Sequence, residues 1–241
     1  MTAWLGPAVR ARLDELADRD GLPEQAADRL GRLLGLLAED GAAPTSVREP
    51  NRAVDVHVAD SLAGLQLSAV RDARQVADLG SGAGFPGLVL AVALPEARVA
   101  LVESDGRKAA FLARAVEAVG AANVEVVRAR AEAWRAGTGV HDLVTARALA
   151  GLPVLVEYAA PLLARGGRLV AWKGHRDARE EADGAAAAAV TGLEPAGVVA
   201  VRPFPWVQAR SLYLYSKERE TPSRFPRREG MARKRPLRAS A

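Results

Sequence analysis

The spacing of apolar residues changes character at about residue 74. Over 22–41 and again over 51–65, apolar residues recur three and four positions apart, which predicts two helices that each bury one face. Beyond residue 74, short β-branched runs alternate with stretches of helical spacing. The predicted strands are 75–79, 98–103, 124–128, 142–146, 168–172, 198–202 and 211–215, and the helices among them lie near 87–94, 107–119, 151–164 and 176–190. This alternation predicts a parallel sheet covered by helices on both faces.

The last two predicted strands follow each other without a helix, joined by residues 203–206, and we expect them to form an antiparallel hairpin at one edge. Six β/α-type strands followed by an added antiparallel strand are the layout of the class I S-adenosylmethionine (SAM)-dependent methyltransferase fold. This fold is Rossmann-like α/β, with seven mostly parallel strands and an antiparallel edge strand. We therefore expect an N-terminal helical extension over 1–66 that packs on the core, a methyltransferase-type domain over 67–217 and a basic, flexible tail over 218–241.

The composition narrows the class of protein. The 241 residues are 49% hydrophobic and 26% charged, as in ordinary globular proteins. Cysteine is absent, which excludes disulfides, thiolate nucleophiles and thiolate metal sites. The longest apolar run, 88–94, is far shorter than the ~20 residues of a membrane helix, and Arg10, Arg12 and Asp14 interrupt any secretory signal. We expect a cytoplasmic protein without a membrane partner.

The charge is concentrated at the C-terminus. Residues 216–241 hold nine arginines and lysines against three glutamates, a net charge of +6, whereas the rest of the chain is slightly negative. A nearly neutral body with a basic tail indicates a polyanionic partner, nucleic acid first. A tail that merely aids solubility is the alternative.

The sharpest local signal is a glycine-rich loop after the first predicted strand. It runs from Asp78 to Gly87, with glycine at positions 80, 82, 84 and 87. Glycines there let the backbone turn tightly and approach a ligand closely. The third glycine comes one residue earlier than in dinucleotide-binding loops, and Phe85 stands where those loops have glycine. SAM has no pyrophosphate and instead needs a close-packed loop with an acid for its amino group, a role that suits Asp78.

A second acid follows at the expected distance. Glu103 ends the next predicted strand, 23 residues after Gly80, where a carboxylate accepts both ribose hydroxyls of an adenosine. The alternative is an acid that only begins the following helix. Loop and acid together indicate adenosine binding, but they leave both SAM and NAD open as the cofactor.

These residues resemble one family, the 16S ribosomal RNA (guanine-N7) methyltransferases known as RsmG or GidB. The resemblance covers nearly the whole chain after about residue 44. It is carried by His57-Val58-Ala59-Asp60-Ser61-Leu62, by Gly84-Phe85-Pro86-Gly87 and by the basic ending with Pro226-Arg227-Arg228-Glu229-Gly230 and Lys234-Arg235-Pro236-Leu237. Two departures are the missing Trp and Asn within 38–44 and Ala232 in place of a common proline.

The resemblance implies the cofactor, the substrate and a set of site residues. It implies SAM as cofactor and a guanine in the decoding-region loop of the small subunit's 16S rRNA as substrate. SAM contacts are expected at Gly80, Gly82, Phe85, Glu103, Ala131, Glu132 and Arg147, with Asp78 beside them. Glu132 has the alternative of only starting a helix. Arg147 stands in an apolar strand end and needs an anionic partner, for which the SAM carboxylate, Glu132 and an RNA phosphate are the options.

RNA contacts are expected from basic residues at the sheet edge and in the tail, namely Arg107, Lys108, Lys173, Arg227, Arg228 and Lys234. Removal of residues 222–241 is expected to weaken binding to ribosomal substrate while leaving the affinity for SAM intact. No metal site is expected, since the three histidines lack ligand spacing. A monomer is expected.

The chemistry makes modest demands on the protein. Guanine N7 has a lone pair and no proton, so an in-line methyl transfer needs alignment and exclusion of water rather than a general base. We therefore assign no base and expect Arg147 to position the guanine or its phosphate. The alternatives are a SAM-dependent methyltransferase of a small molecule, an NAD-dependent oxidoreductase that uses the same loop, and a catalytically silent RNA-binding protein.

Overall fold

The computed structural model describes residues 6–239, and two helices pack at its N-terminal end. They are α1 (Pro7–Asp20) and α2 (Ala26–Glu39), separated by Gly21 in a left-handed conformation. The leucines predicted to face inward on α2, at positions 30, 33, 34 and 37, are all buried. The helix begins at Ala26 rather than near Pro23, because Gln25 has a φ of 67° and cannot belong to a right-handed helix.

The predicted helix over 51–65 is an irregular run of helical turns. It consists of α3 (Pro50–Ala53), a π-helical stretch over Val54–Ala59, α4 (Asp60–Leu62) and a 3-10 turn over Ala63–Gln66, and α5 (Ser68–Arg71) follows. Its inward face is as predicted, since Val54, Val58, Leu62 and Leu65 are buried. Apolar spacing predicts which face is buried, but it does not predict the wider π turn. Such turns are often found at functional sites.

A seven-stranded sheet forms the centre of the molecule. The strands are β1 (Gln75–Leu79), β2 (Arg98–Val102), β3 (Val124–Val127), β4 (His141–Arg147), β5 (Leu163–Lys173), β6 (Leu193–Ala200) and β7 (Ser211–Lys217), in the order β3-β2-β1-β4-β5-β7-β6. β1 to β5 pair in parallel, and β7 is antiparallel to both β5 and β6. The mostly parallel sheet and its terminal hairpin are confirmed, with β6 outermost and β7 one place inside it.

Helices cover both faces of the sheet. α6 (Gly87–Ala93) and α7 (Gly106–Val119) share one apolar core with α1 and α2, whereas α8 (Leu152–Ala159) and α9 (Ala178–Thr191) form the other. The prediction of a helix over 151–164 was too long. Pro161 has no N–H to continue the helical ladder, and β5 already begins at Leu163.

The residues after β7 fold back onto the core, as far as they are described. A short helix, α10 (Met231–Lys234), packs against α8, and Phe225 and Ala232 are buried. Arg227 forms an ion pair with Glu157, which is 1% exposed within α8. These contacts place the segment against α8, and the flexibility of the tail stays a prediction. Residues 240 and 241 lie outside the described part.

Candidate functional site

The glycine-rich loop turns sharply at the carboxyl end of β1. Gly80, Gly82 and Gly84 have φ values of 67°, 55° and 98°, a region that side chains other than glycine rarely adopt. At Gly80 the side chain of Leu149, in the loop after β4, also approaches closely. A Cβ atom added there would lie 2.5 Å from Leu149 Cδ1. The loop after β4 therefore packs directly on the glycine-rich loop.

Glu103 follows β2 and is fixed by backbone donors. Its Oε2 accepts from the N–H of Gly82 at 3.2 Å, and its Oε1 accepts from the N–H of Asp105 at 2.9 Å. Asp105 in turn caps α7 by accepting from the N–H groups of Arg107 and Lys108. The acid at the end of the second strand is therefore oriented by the glycine-rich loop and by the start of the next helix.

A cavity of about 420 Å³ opens at this carboxyl edge of the sheet, within the size range of small-molecule sites. Four of the predicted cofactor residues line it, namely Gly80, Glu103, Ala131 and Glu132. Its wall is completed by residues from the loop after β4, from α8 and from the C-terminal segment, among them Leu149, Tyr158 and Arg233. The structure thus brings together the glycine loop, the strand-end acid and the loop after β3.

Asp78 lies beneath the glycine-rich loop and does not line this cavity. Its Oδ1 accepts from the hydroxyl of Thr145 at 2.8 Å, and its Oδ2 has no hydrogen-bond partner among residues 6–239. Burial raises the pKa of Asp78 to about 6, an effect that the hydrogen bond from Thr145 opposes. Its expected place beside the SAM amino group stays a prediction.

Arg147, at the end of β4, does not line the 420 Å³ cavity and has protein partners. Its Nη1 donates to Oδ2 of Asp60 at 2.7 Å and to the carbonyl of Val56 at 3.0 Å. Asp60 is fully buried, and its Oδ1 accepts from Nε of Arg210 at 2.5 Å. The anionic partner of Arg147 is therefore Asp60, none of the three options raised from the sequence, because the N-terminal segment packs over the end of β4.

His57 joins the cluster of Arg147, Asp60 and Arg210, and its hydrogen bonds fix a single tautomer. Nη2 of Arg147 lies 3.3 Å from His57 Nδ1, and a guanidinium only donates, so Nδ1 accepts and Nε2 carries the proton. Nε2 then donates to the carbonyl of Val47 at 3.1 Å, with Thr45 Oγ1 nearby at 3.0 Å. Burial and the neighbouring Arg147 lower the pKa of His57 to about 4. The ring is consequently neutral at physiological pH.

Phe85 belongs to the same cluster and does not line the 420 Å³ cavity. Its ring stacks on His57 with centroids 4.4 Å apart, and the guanidinium of Arg147 lies 5.3 Å from its centroid. The Phe85 side chain therefore connects the glycine-rich loop to the N-terminal segment. The contacts of the Phe85 ring are thus with His57 and Arg147, and its contact with SAM stays a prediction.

A second cavity of about 350 Å³ adjoins the first. It is lined by His57, Arg147, Lys173 and Arg210, and Ala148 belongs to the walls of both cavities. Ala148 has a φ of 54°, which is uncommon for a residue with a side chain. The loop after β4 therefore lies between the cavity that holds Glu103 and Glu132 and the cavity that is lined by Arg147, Lys173 and Arg210.

The predicted RNA contacts divide into two groups. Arg107, Lys108, Arg228 and Lys234 are exposed. Lys173 and Arg227 are instead held by carboxylates, with Lys173 Nζ 2.6 Å from Glu180 and Arg227 Nη2 2.6 Å from Glu157. Arg227 consequently anchors the C-terminal segment. Lys173 lines the second cavity while it is paired with Glu180.

Sequence reasoning missed several residues of the site. Glu157 had a usable signal, since it is the one charged residue in the apolar helix Leu152–Ala159 and so needs a cationic partner. Asp60 stood in the His-x-x-Asp-Ser block, but its pairing with Arg147 requires contact across 87 positions. Tyr158 and Arg233 gave no local signal for the cofactor cavity.

Among residues 6–239 no cluster of three or more His, Asp or Glu side chains is placed to hold a metal ion. Within the same residues no helix is both long and apolar enough to cross a membrane.

Comparison with known proteins identifies the family. The family model described as rRNA small subunit methyltransferase G, GidB, matches residues 30–204. The chain belongs to this family. The Rubrobacter xylanophilus ribosomal RNA small subunit methyltransferase G is 47% identical over 197 residues, 79% of this chain and 76% of that protein. The Deinococcus radiodurans protein of the same name is 36% identical over 244 residues, 97% of this chain and 94% of that protein.

A solved structure shows the same fold. A mutant 16S rRNA (adenine(1408)-N(1))-methyltransferase from Catenulisporales acidiphilia superposes with a TM-score of 0.52 at 18% identity, covering 64% of this chain and 90% of that one. The class I methyltransferase fold expected from the strand pattern is confirmed. Membership of the family also confirms the resemblance drawn from the motifs and decides against the oxidoreductase alternative.

Proposed function

We propose that this protein is a SAM-dependent methyltransferase that methylates N7 of a guanine in the decoding-region loop of 16S rRNA, acting in the cytoplasm on the small ribosomal subunit. The observation that carries the proposal is the pair of adjoining cavities that share Ala148. One has the acid and glycine loop of an adenosine site, and the other presents cationic groups to a nucleotide.

The first cavity fits the adenosine part of SAM. Glu103 presents a carboxylate already oriented by the N–H groups of Gly82 and Asp105, as an acceptor for ribose hydroxyls requires. Gly80, Ala131 and Glu132 line the same cavity. When bound, SAM supplies an electrophilic methyl group on a sulfonium.

The second cavity suits a guanine nucleotide. Arg147, Lys173 and Arg210 offer donors to a phosphate or to guanine O6, and guanidinium groups bind such oxygens with directional hydrogen bonds. The residues that hold Arg147 also orient it, since it donates to Asp60, Val56 and His57 at once. In the reaction, Arg147, Lys173 and Arg210 bind and orient the base and exclude water.

The same cavity suits an acceptor that needs no deprotonation. His57 is the titratable group best placed to act as a base, but both of its ring nitrogens are occupied and its pKa is lowered to about 4. An unprotonated ring nitrogen such as guanine N7 makes no demand for proton removal.

RNA binding is assigned to exposed basic residues near the cavity mouth. Lys108 lines the cofactor cavity, Arg107 precedes it on the first turn of α7, and Arg228 and Lys234 lie on the outer side of the C-terminal segment. Contacts from such residues to phosphates give affinity that falls with salt. The similarity to ribosomal RNA small subunit methyltransferases G supports rRNA as the substrate.

Methyl transfer from labelled SAM to purified 30S subunits and to free 16S rRNA tests this function. We expect label in 7-methylguanine at one rRNA position, located by nuclease digestion and mass spectrometry. Glu103→Ala is expected to raise the Kd for SAM about 10- to 100-fold, since hydrogen bonds to a charged group are worth ~1.5–3 kcal/mol.

Glu96→Ala is the matched control, because Glu96 is an exposed acid at the opposite edge of the sheet. It is expected to bind SAM and methylate like the wild type. Label in a base other than guanine, or no transfer to either RNA by a protein that binds SAM, would contradict the proposal.

A further inference from the structure

We propose that the C-terminal segment 225–239 is part of the cofactor site and that Arg233 is a cofactor-positioning residue, so that affinity for SAM depends on docking of this segment. The inference rests on the proposed function, because it takes the 420 Å³ cavity to be the SAM site. It differs from the sequence-based expectation that loss of the tail leaves SAM affinity intact.

The segment is anchored by a buried ion pair. Glu157 is 1% exposed in α8, and its carboxylate accepts from Nε and Nη2 of Arg227 at 2.9 and 2.6 Å and from the Arg227 backbone N–H at 3.2 Å. A carboxylate buried this deeply needs such a partner. Phe225 is buried two residues earlier. These contacts fix the path of the chain toward the cavity.

The segment then contacts the cavity wall at Glu132. Oε1 of Glu132 accepts from the backbone N–H of Gly230 at 3.0 Å and from the hydroxyl of Tyr158 at 3.4 Å. Glu132 and Tyr158 both line the cavity. A backbone group of the C-terminal segment therefore sets the orientation of a carboxylate in the cofactor wall.

A second contact lies one helical turn later. Arg233 lines the cavity, and its Nη2 donates to the carbonyl of Leu149 at 3.1 Å. Leu149 is the residue whose side chain packs on Gly80. Arg233 thus holds the loop after β4 against the glycine-rich loop, at the wall of the cofactor cavity.

Docking of this segment also connects the two ligands. Its inner side contacts the cofactor wall through Gly230 and Arg233, while Arg228 and Lys234 are exposed to solvent for RNA. If SAM favours the docked segment and RNA binds that same docked form, each ligand raises the affinity for the other by the same factor.

Isothermal titration with SAM tests the inference. Arg233→Ala is expected to raise the Kd about tenfold, the effect of one lost hydrogen bond from a charged group. Arg235→Ala is the matched control, since Arg235 is exposed, lies two residues away and lines neither cavity. Its Kd is expected to equal that of the wild type. Arg233→Lys is expected to recover only part of the affinity, because an ammonium lacks the planar fork of the guanidinium.

Hydrogen exchange of the wild-type protein gives a readout independent of mutation. Amides of 225–235 are expected to exchange more slowly with saturating SAM, while those of the exposed edge strand β6 stay unchanged. Equal Kd values for the Arg233→Ala and Arg235→Ala proteins, or unchanged exchange in 225–235, would overturn the inference and leave the proposed function standing. A wild-type protein that binds no SAM would instead overturn the proposed function.

Discussion

Replacing Arg147 by methionine removes the cation that joins the N-terminal segment to the end of β4. The Arg147 side chain is 12% exposed and Asp60 is fully buried. Breaking a buried ion pair typically costs ~3–5 kcal/mol, and Arg210 still binds Asp60 in the variant, so we expect ~3 kcal/mol. The carbonyl of Val56 and Nδ1 of His57 also lose their donor.

Thermal and urea denaturation measure this loss. In a chain of this size each kcal/mol shifts Tm by ~2–4 °C, so Arg147→Met is expected to lower Tm by ~6–12 °C. The matched control is Arg176→Met, which removes an arginine from an ion pair with Glu181 on the surface, where the Arg176 side chain is 61% exposed. Solvent screens that pair, so the control is expected to leave Tm nearly unchanged. Equal losses of stability in the two variants would refute the assigned role of the buried cluster.

Two further predictions concern backbone geometry and pH. Gly80→Ala is expected to raise the Kd for SAM, measured by calorimetry, at least tenfold because a Cβ would displace Leu149. Gly139 has nearly the same φ but open space around it, so Gly139→Ala is expected to lose a little stability and no affinity for SAM. His57 has its pKa lowered from 6.5 to about 4 in the fold, so the unfolded chain takes up the proton first as pH falls. The free energy of unfolding is therefore expected to fall by ~3 kcal/mol between pH 6.5 and pH 4, at 1.36 kcal/mol per pKa unit. Urea titrations of the wild type and of His57→Gln should show this loss in the wild type alone. A constant difference between the two proteins from pH 7 to 4 would contradict the assignment.

The strand pattern was a good guide to the sheet because its signals are local. β1 has the predicted bounds, and β2 and β3 differ from them by one residue. The long strand β5 was located only in its second half, since its first residues, around Gly166 and Gly167, lack the β-branched side chains on which the reading depended. His141, the first residue of β4, is 4% exposed because Trp134 packs beside it, a burial that the strand pattern does not indicate.

The residues of the site likewise divide into those with a local signal in the sequence and those whose partners are set by distant elements. Gly80 and Glu103 could be placed at one edge of the sheet because each stands at a strand end, and carboxyl ends of parallel strands share one edge. Ala131 and Glu132 came from the family resemblance, and they line the same cavity. Arg147 was identified as a residue in need of an anion, which is also a local inference. Its actual partner was beyond reach, because spacing along the chain does not say which element packs over a strand end.

By itself, the sequence determined the order of strands and helices, the glycine loop with its acid, and the family to which the motifs point. Tertiary structure decided which charges meet: Arg147 with Asp60 across 87 positions, Arg227 with Glu157 across 70, and Gly230 with Glu132 across 98. The physical reason is that local spacing sets backbone conformation and the buried face. The partner of a buried charge is set instead by the packing of distant elements, and here that packing makes the basic C-terminus a wall of the cofactor cavity.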